Sequence, residues 1–389
     1  MSYIGKTPTS VPLTSSDIED GIITTTKIAD ANVTNPKLTS GSQQNFRNII
    51  INGDMSIAQR GTSESGITNT SAPAFVVDRF CWSENGSMTS TFTMSQDTDV
   101  PAGYGFAKSL KLDCTATDTP AAAERIRIEA RFEGQNLQYL KKGTANAESW
   151  TLSFWVKSSK TGTYIVNFRD EDNSRIVSKA YTINSASTWE KKTITVAPDT
   201  TDPFDNDNAH SLTIAWILSA GPSLQSGSLA DVWQDYANAN YAAGQVNFAD
   251  STDNNIWITG VQLEAGTSAS DFEFLPVDVN LDRCQRYYQN SYGVGLYPET
   301  STGNYIAIHI LSWGDGNAQG IAYYKPMRST PTVTLRDGST TTTGKVISDG
   351  TQRAASATNI NNKYFSFISV TSGTANAYTI VAWEANAEI

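Results

Sequence analysis

Alternation of apolar and polar residues, not helical periodicity, governs most of this chain. From 125 to 132 the charged residues Arg125, Arg127, Glu129 and Arg131 interleave with Ile126, Ile128, Ala130 and Phe132. That is the pattern of a strand with one face in water and one in a core. Trp150, Leu152, Phe154 and Val156 share one face of the next run, with Thr151, Ser153 and Trp155 on the other. Tyr164-Val166-Phe168 and Leu212-Ile214-Trp216-Leu218 keep the same period of two. Gly, Asn and Asp clusters such as Asp170-Glu171-Asp172-Asn173 separate the runs. Many strands with irregular connections predict two antiparallel sheets packed face to face over residues 47–278. No short coil repeat recurs there, which disfavours a parallel β-helix.

Two segments read as helical. Residues 229–241 are Ala-rich and suggest a loop helix. Leu281, Cys284 and Tyr288 stand at helical spacing after Pro276, with Asp278 as N-cap, which predicts a linker helix over 279–289. Residues 290–389 carry further strand-like runs at 304–311, 332–336, 363–370 and 377–383, joined by Gly-, Ser- and Asn-rich loops. They predict a smaller C-terminal β-sandwich.

The first 46 residues break the pattern. Ile23-Thr24-Thr25-Thr26-Lys27-Ile28 returns ten residues on as Val33-Thr34-Asn35-Pro36-Lys37-Leu38. One aliphatic residue per few polar ones cannot build a core. A repeat of this kind needs neighbours, either parallel copies of the chain or a docking partner, to cover Ile23, Ile28, Val33 and Leu38. The expectation is an extended attachment tail that carries a display module.

Composition narrows the function. Only 17% of the 389 residues are charged, while 16 Tyr, 14 Phe and 9 Trp supply rings for cores and for surface patches. Net charge is −11 and the isoelectric point about 4.7, with Lys141-Lys142 and Lys191-Lys192 as the longest basic runs. Phosphate neutralisation needs a basic face, so nucleic acid is not expected as a partner. Cys81, Cys114 and Cys284 are odd in number and lack metal spacing, which fits small buried hydrophobes. The N-terminus shows no apolar segment of a secretory signal.

Several stretches carry a resemblance. The segment DGIITTTKIADANVTNPKLT, residues 20–39, resembles the repeats near the N-termini of bacteriophage tail fibres. Asn48-Ile49-Ile50-Ile51-Asn52-Gly53-Asp54-Met55-Ser56-Ile57-Ala58-Gln59-Arg60-Gly61, then Val77-Asp78-Arg79-Phe80, resembles the opening of a jelly-roll module of such fibres. Ile258-Thr259-Gly260-Val261-Gln262-Leu263-Glu264-Ala265-Gly266, Phe272-Glu273 and Cys284-Gln285-Arg286-Tyr287-Tyr288 resemble its closing segment. The ordered set frames about residues 20–290 and fades after Gln289. It implies an all-β chain. An extended N-terminal virion-attachment tail (1–46) precedes an antiparallel jelly-roll β-sandwich (47–278). The residue pattern adds the linker helix (279–289) and the smaller C-terminal β-sandwich (290–389), expected to be the receptor-binding tip because it lies farthest from an N-terminal anchor. The resemblance also implies a homotrimer, docked on a tail adaptor or tail tube protein. The tail residues Ile23, Lys27, Ile28, Val33, Lys37 and Leu38 would make that attachment. The expected location is the virion tail, assembled in the bacterial cytoplasm, and the expected partner a host surface glycan or outer-membrane receptor.

Candidate chemistry points to binding more than to catalysis. His210 and His309 are the only histidines, and neither neighbours a nucleophile motif. No HExxH, P-loop or dinucleotide fingerprint occurs. The expectation is no enzyme. The alternatives are a short tailspike that cleaves polysaccharide with paired carboxylates, or a structural decoration or collar protein. Sugar binding would use stacked rings. Trp155 points away from the apolar face of its strand, either into a binding surface or under a neighbouring loop or subunit. In the C-terminal region, loops combine Trp313, Asp315, Asn317, Asp337, Asn359 and Asn361, a set suited to a shallow glycan or outer-membrane epitope; the alternatives are a domain that caps and locks a trimer, and for Trp313 a plug at the end of a sandwich. The acidic loop 199–208 offers oxygen ligands for calcium or a series of Asx turns. Resemblance to carbohydrate-binding jelly rolls adds a structural calcium held by Asp54 and Glu264. Glu264 is equally a partner for Arg60 or Arg79.

Overall fold

The alternating runs become strands, and every pairing among them is antiparallel. The structure is a computed structural model that describes residues 46–68, 72–292, 295–298, 310–313, 317–338, 342–348, 350–370 and 378–389. The repeat residues Ile23, Lys27, Ile28, Val33, Lys37 and Leu38 lie outside the described residues, as do His309 and Asp315. In chain order the first strands are β1 (Ser63–Ile67), β2 (Ala74–Phe75), β3 (Phe80–Asn85), β4 (Thr91–Asp97), β5 (Ser109–Ala116) and β6 (Arg125–Glu133). They continue with β7 (Trp150–Ser158), β8 (Gly162–Asp170), β9 (Arg175–Ile183), β10 (Glu190–Val196), β11 (His210–Ala220), β12 (Gln234–Asp235) and β13 (Asn255–Ala265). One sheet has six strands in the order β1-β4-β5-β13-β7-β10; the other has seven, β12-β9-β8-β11-β6-β3-β2. The chain crosses between the sheets repeatedly, as a jelly roll does.

The inward residues named by alternation fill the space between the sheets. Trp150, Leu152, Phe154 and Val156 are fully buried against Phe168, Leu212, Ile214 and Trp216 of the facing sheet. Edge-on ring contacts such as Phe154–Trp216, with centroids 5.7 Å apart, add to the area buried. Cys81, Cys114 and Cys284 are buried and unpaired, and burial pushes the Cys81 thiol up to about 12.

The opening and closing motifs clasp each other. Ile49 donates its N–H to the Leu263 carbonyl, and Val261 donates to the Gly53 carbonyl. A Cβ on Gly53 would stand 2.0 Å from the Val261 oxygen, so only glycine fits this approach. The buried Asn48 side chain accepts from the N–H groups of Ile50 and Leu263. Helix α1 (Val277–Gln285) then packs on the clasp. Its N-cap is Pro276, not Asp278, and the residue it buries beside Cys284 is Asn280, whose side chain hydrogen-bonds Asp54, Ser56 and the Asn52 N–H.

Beyond α1 come β14 (Tyr288–Asn290), β15 (Ile310–Trp313), β16 (Asn317–Tyr323), β17 (Thr332–Arg336) and β18 (Lys345–Ser348). The last strands are β19 (Thr351–Thr358), β20 (Tyr364–Val370), β21 (Tyr378–Ile380) and β22 (Ala382–Asn386). The sequence suggests a second sandwich here. The strands instead form a three-stranded sheet, β14-β22-β17, and a closed barrel, β15-β16-β20-β19-β18-β21. Closure removes the free sheet edges that a small sandwich would expose. Residues Phe46–Ile389 make one compact unit. Arg79 and Arg60 both pair with Glu388, and Arg286 pairs with Glu133, which ties the C-terminal sheet to the sandwich.

The expected helix over 229–241 is absent. This segment is a loop with the two-residue strand β12 and a single 3-10 turn, Asn238–Asn240. Its small apolar residues are used differently: Ala230, Tyr241 and Ala242 pack on Ile165, Ala215 and Ile217 of the seven-stranded sheet.

Candidate functional site

The outer face of the six-stranded sheet is where alternation and register bring aromatic rings to the surface. Ser153, Trp155 and Lys157 of β7 point away from the core. Pairing sets Lys191 of β10 opposite Trp155, and Trp257 of β13 opposite Lys157. Lys111 of β5 stands opposite Trp257 in turn. A row of alternating cations and rings therefore crosses the sheet. Lys157 Nζ lies 4.1 Å from the Trp257 ring centre and 5.6 Å from that of Trp189, and Lys111 lies 5.2 Å from Trp257.

One strand row away, Trp155 is half-buried and meets Tyr104, with ring centroids 4.4 Å apart. Tyr104 sits in the 101–105 loop and is 55% exposed. Phe106, Phe272 and Phe274 form a second ring cluster, with centroids 4.8–5.1 Å apart. Gly260 makes the floor between the two groups: its φ is +62° and a Cβ there would strike Phe106 and crowd Trp155. The result is a cavity of about 310 Å³ walled by Tyr104, Trp155, Phe272, Phe274, Lys191 and Asp271.

The carboxylates of this face serve as anchors. Asp99 accepts from Lys157 and from the Trp189 indole (2.9 Å), and Asp97 accepts from the Trp257 indole (3.1 Å). Burial acts to raise both pKa values, but these hydrogen bonds outweigh it and hold both below the usual carboxylate range. The indole hydrogen bonds thereby fix the orientation of Trp189 and Trp257 beside the lysines of the sheet surface.

The structure distributes the other sequence candidates differently. Trp313 and Asn317 face each other as a register pair at the turn of the β15–β16 hairpin. Asp337 is fully buried and accepts from the Gln352 amide, so it is no surface contact; its burial is the reason that expectation fails. Asn359 adopts φ 50° in a turn, and the Asn361 side chain accepts from the N–H groups of Lys363 and Tyr364. Asn361 thus shapes the loop by an Asx turn.

The calcium expectation finds no ligand set. Asp54 is held by Ser56 and Asn280, whereas Glu264 is buried with Ser270, Gln262 and Arg47, not with Arg60 or Arg79. The two carboxylates share no partner. In the acidic loop, Asp199 pairs with Lys142 (3.3 Å) and Arg175 (3.1 Å), and Asp207 accepts from the Ala209 N–H in an Asx turn. Among the described residues no group of three His, Cys, Asp or Glu gathers to hold a metal.

Trp155 was legible as an outward ring. Its companions were not singled out from the sequence, although signals existed. Trp257 alternates with Ile256 and Ile258, and Tyr104 stands between Gly103 and Gly105. What sequence alone cannot supply is the cross-strand register that gathers them.

Neither a protein-family model nor a curated protein matches the chain. Among solved structures, it is similar to the enzymatically active domain of tailspike protein 4 of bacteriophage CBA120, at 16% identity and a TM-score of 0.28. That likeness covers 56% of this chain and 21% of the tailspike chain, so this chain spans about a fifth of that relative. It is also similar to a family 11 carbohydrate-binding module of a Clostridium thermocellum cellulase (8% identity, 54% of this chain, 99% of that one, TM-score 0.26). A third is the N-terminal cellulose-binding domain of a Cellulomonas fimi β-1,4-glucanase (12% identity, 48% of this chain, 90% of that one, TM-score 0.26).

Proposed function

We propose that this protein is a bacteriophage tail fibre whose jelly-roll body binds a host surface glycan on the outer face of the six-stranded sheet. The observation that carries this reading is the Tyr104–Trp155 pair beside the 310 Å³ cavity, with Lys191 and Asp271 at its rim. Rings presented at a surface stack on the apolar faces of pyranoses, and the polar rim orients the hydroxyls. The N-terminal repeat supports attachment to a tail adaptor or tube protein, which would leave the body to face the host. In this reading the face binds without cleaving. Asp97 and Asp99 on this face are engaged by Lys157 and the Trp189 and Trp257 indoles and serve as anchors.

Binding of purified protein to host lipopolysaccharide or capsule, followed by surface plasmon resonance, tests it. Trp155→Ala should weaken binding by about tenfold or more, the loss expected of a central aromatic anchor, with an unchanged circular dichroism spectrum. Wild-type affinity in that folded variant would rule the face out. Release of reducing ends from the glycan would replace binding with a depolymerase activity.

A further inference from the structure

We propose that the outer face of the seven-stranded sheet holds a second, separate site: a pocket for a small polyatomic oxyanion, such as the acid group of a charged sugar, seated among Asn167, Arg169 and Arg127. Register builds it. β11 is flanked by β6 on one side and β8 on the other. Arg131, Thr213 and Arg169 form one row across these strands. Glu129, Ala215 and Asn167 form the next. Ala215 ends at a methyl group between two long polar neighbours, and the space it leaves is a cavity of about 80 Å³.

The polar groups around this space are unevenly satisfied. Glu129 is clamped by Arg127 and Arg131, and Arg131 also donates to the Ile389 carbonyl (2.7 Å). Glu171 ion-pairs with Arg169 (3.1 Å) without a hydrogen bond from its Nε, and accepts from the Thr213 hydroxyl (2.8 Å). Since Thr213 gives its proton to Glu171, His210 Nε2, 2.8 Å away, is the donor to Thr213. Asn167 is the exception. It is 1% exposed, lines the cavity, and neither its Nδ2 nor its Oδ1 has a hydrogen-bond partner. A buried amide left so costs about 1–3 kcal/mol, so the space in front of it calls for a polar occupant.

Charge selects the sign of that occupant. Three guanidinium groups face two carboxylates, and His210 is neutral because burial and then Arg131 lower its pKa to about 4. Arg131 is also taken up by the Ile389 terminus, so the cations left to serve the open space are Arg127 and Arg169. Guanidinium and amide donors match the oxygens of carboxylate, sulfate or phosphate. The groups facing His210 are Arg131 and Glu129 from β6, Arg169 from β8, Glu171 just beyond it, and Arg79 before β3. An anion placed among them favours the protonated imidazole, so binding should tighten as pH falls from neutral toward 5.

Isothermal titration of the full chain with sodium sulfate, sodium glucuronate and glucose tests the site. Saturable millimolar binding of an anion, with none for glucose, is the expected result. Glucuronate binding identifies a sugar acid as the source, and sulfate binding alone identifies a free inorganic ion; either supports an oxyanion pocket. Ala215→Leu fills the cavity and should cost about tenfold or more in affinity, the equivalent of a hydrogen bond to a charged group. Asn167→Ser is the milder variant should the leucine disturb folding. No saturable binding by either anion, or equal binding in both folded variants, overturns the proposal.

Discussion

Lys142 shows how far a single residue departs from its class. It sits in one of the chain's two basic dipeptides, yet its side chain is fully buried. Asp170 is 2.6 Å away and Asp199 3.3 Å, and the Thr201 and Asp202 carbonyls accept from the same ammonium. Phe204 and Trp233 stand over it at 5.1 and 5.6 Å. Burying a charge is costly unless its partners are complete, and here they are. Removing only the cation leaves Asp170 buried without a counter-charge, while Asp199 keeps Arg175 alone. Lys142→Ala should therefore cost about 3–5 kcal/mol, far more than a surface lysine. Chemical denaturation at neutral pH measures it; a loss below that of Lys141→Ala, whose pair with Glu148 is exposed, would contradict this account. The same cluster takes Asp199 out of the acidic loop that offers calcium ligands in sequence, while residues 205–208 of that loop stay exposed.

Among elements, the strands were legible and their covering was not. Alternation located β6, β7, β8 and β11 because each puts one face into the sandwich core. It also led to the expectation that Arg127, Glu129 and Arg131 face water. Glu129 is instead 3% exposed, since its sheet carries the 222–245 loop and the C-terminal residues on its outer side. Long-range covering of this kind leaves no period in the sequence. The helix over 229–241 failed for the same reason: Ala230 and Tyr241 are used to cover Ala215 and Ile217 on the outer side of the seven-stranded sheet. The seam between sandwich and C-terminal sheet adds a pH response. Asp78 accepts two hydrogen bonds from Gln59 and pairs with Arg60, but burial dominates and raises its pKa from 3.8 to about 6. A raised carboxylate contributes stability below 3.8 that is lost as pH rises through 6. Glu129 works oppositely. Burial opposes its charge, Arg127 and Arg131 outweigh that, and its pKa falls to about 2, so its contribution holds above 4.5 and fades below. Asp78→Asn should then gain stability relative to wild type on going from pH 4 to pH 7, on the order of 1–3 kcal/mol. Urea midpoints at both pH values decide it: a constant difference between the two proteins would show that Asp78 does not titrate in this range.

For the whole molecule, in the proposed fibre reading, one weak sugar site on each chain would not hold a particle to a cell. A Tyr–Trp platform with an open rim would give modest affinity, and adsorption in that reading would require several such sites engaged at once. The polar repeat of the first 46 residues supplies the means in the fibre reading. Ile23, Ile28, Val33 and Leu38 recur every five residues, too sparsely for a core of their own, and parallel copies would cover them. The proposed assembly is a homotrimer held by this tail, with three jelly-roll bodies free to present their faces together. Light scattering on the full chain should give three times 42.1 kDa. A fragment that starts at Phe46, the boundary of the compact unit, should be monomeric. That fragment keeps every residue of the Trp155 face, so its single-site affinity should be unchanged, while its binding to whole cells should fall by about 10²–10⁴. The two measurements separate recognition from multivalency. A full-length chain that stays monomeric at micromolar concentration would remove the trimer, and a fragment that adsorbs to cells as well as the full chain would remove the need for one.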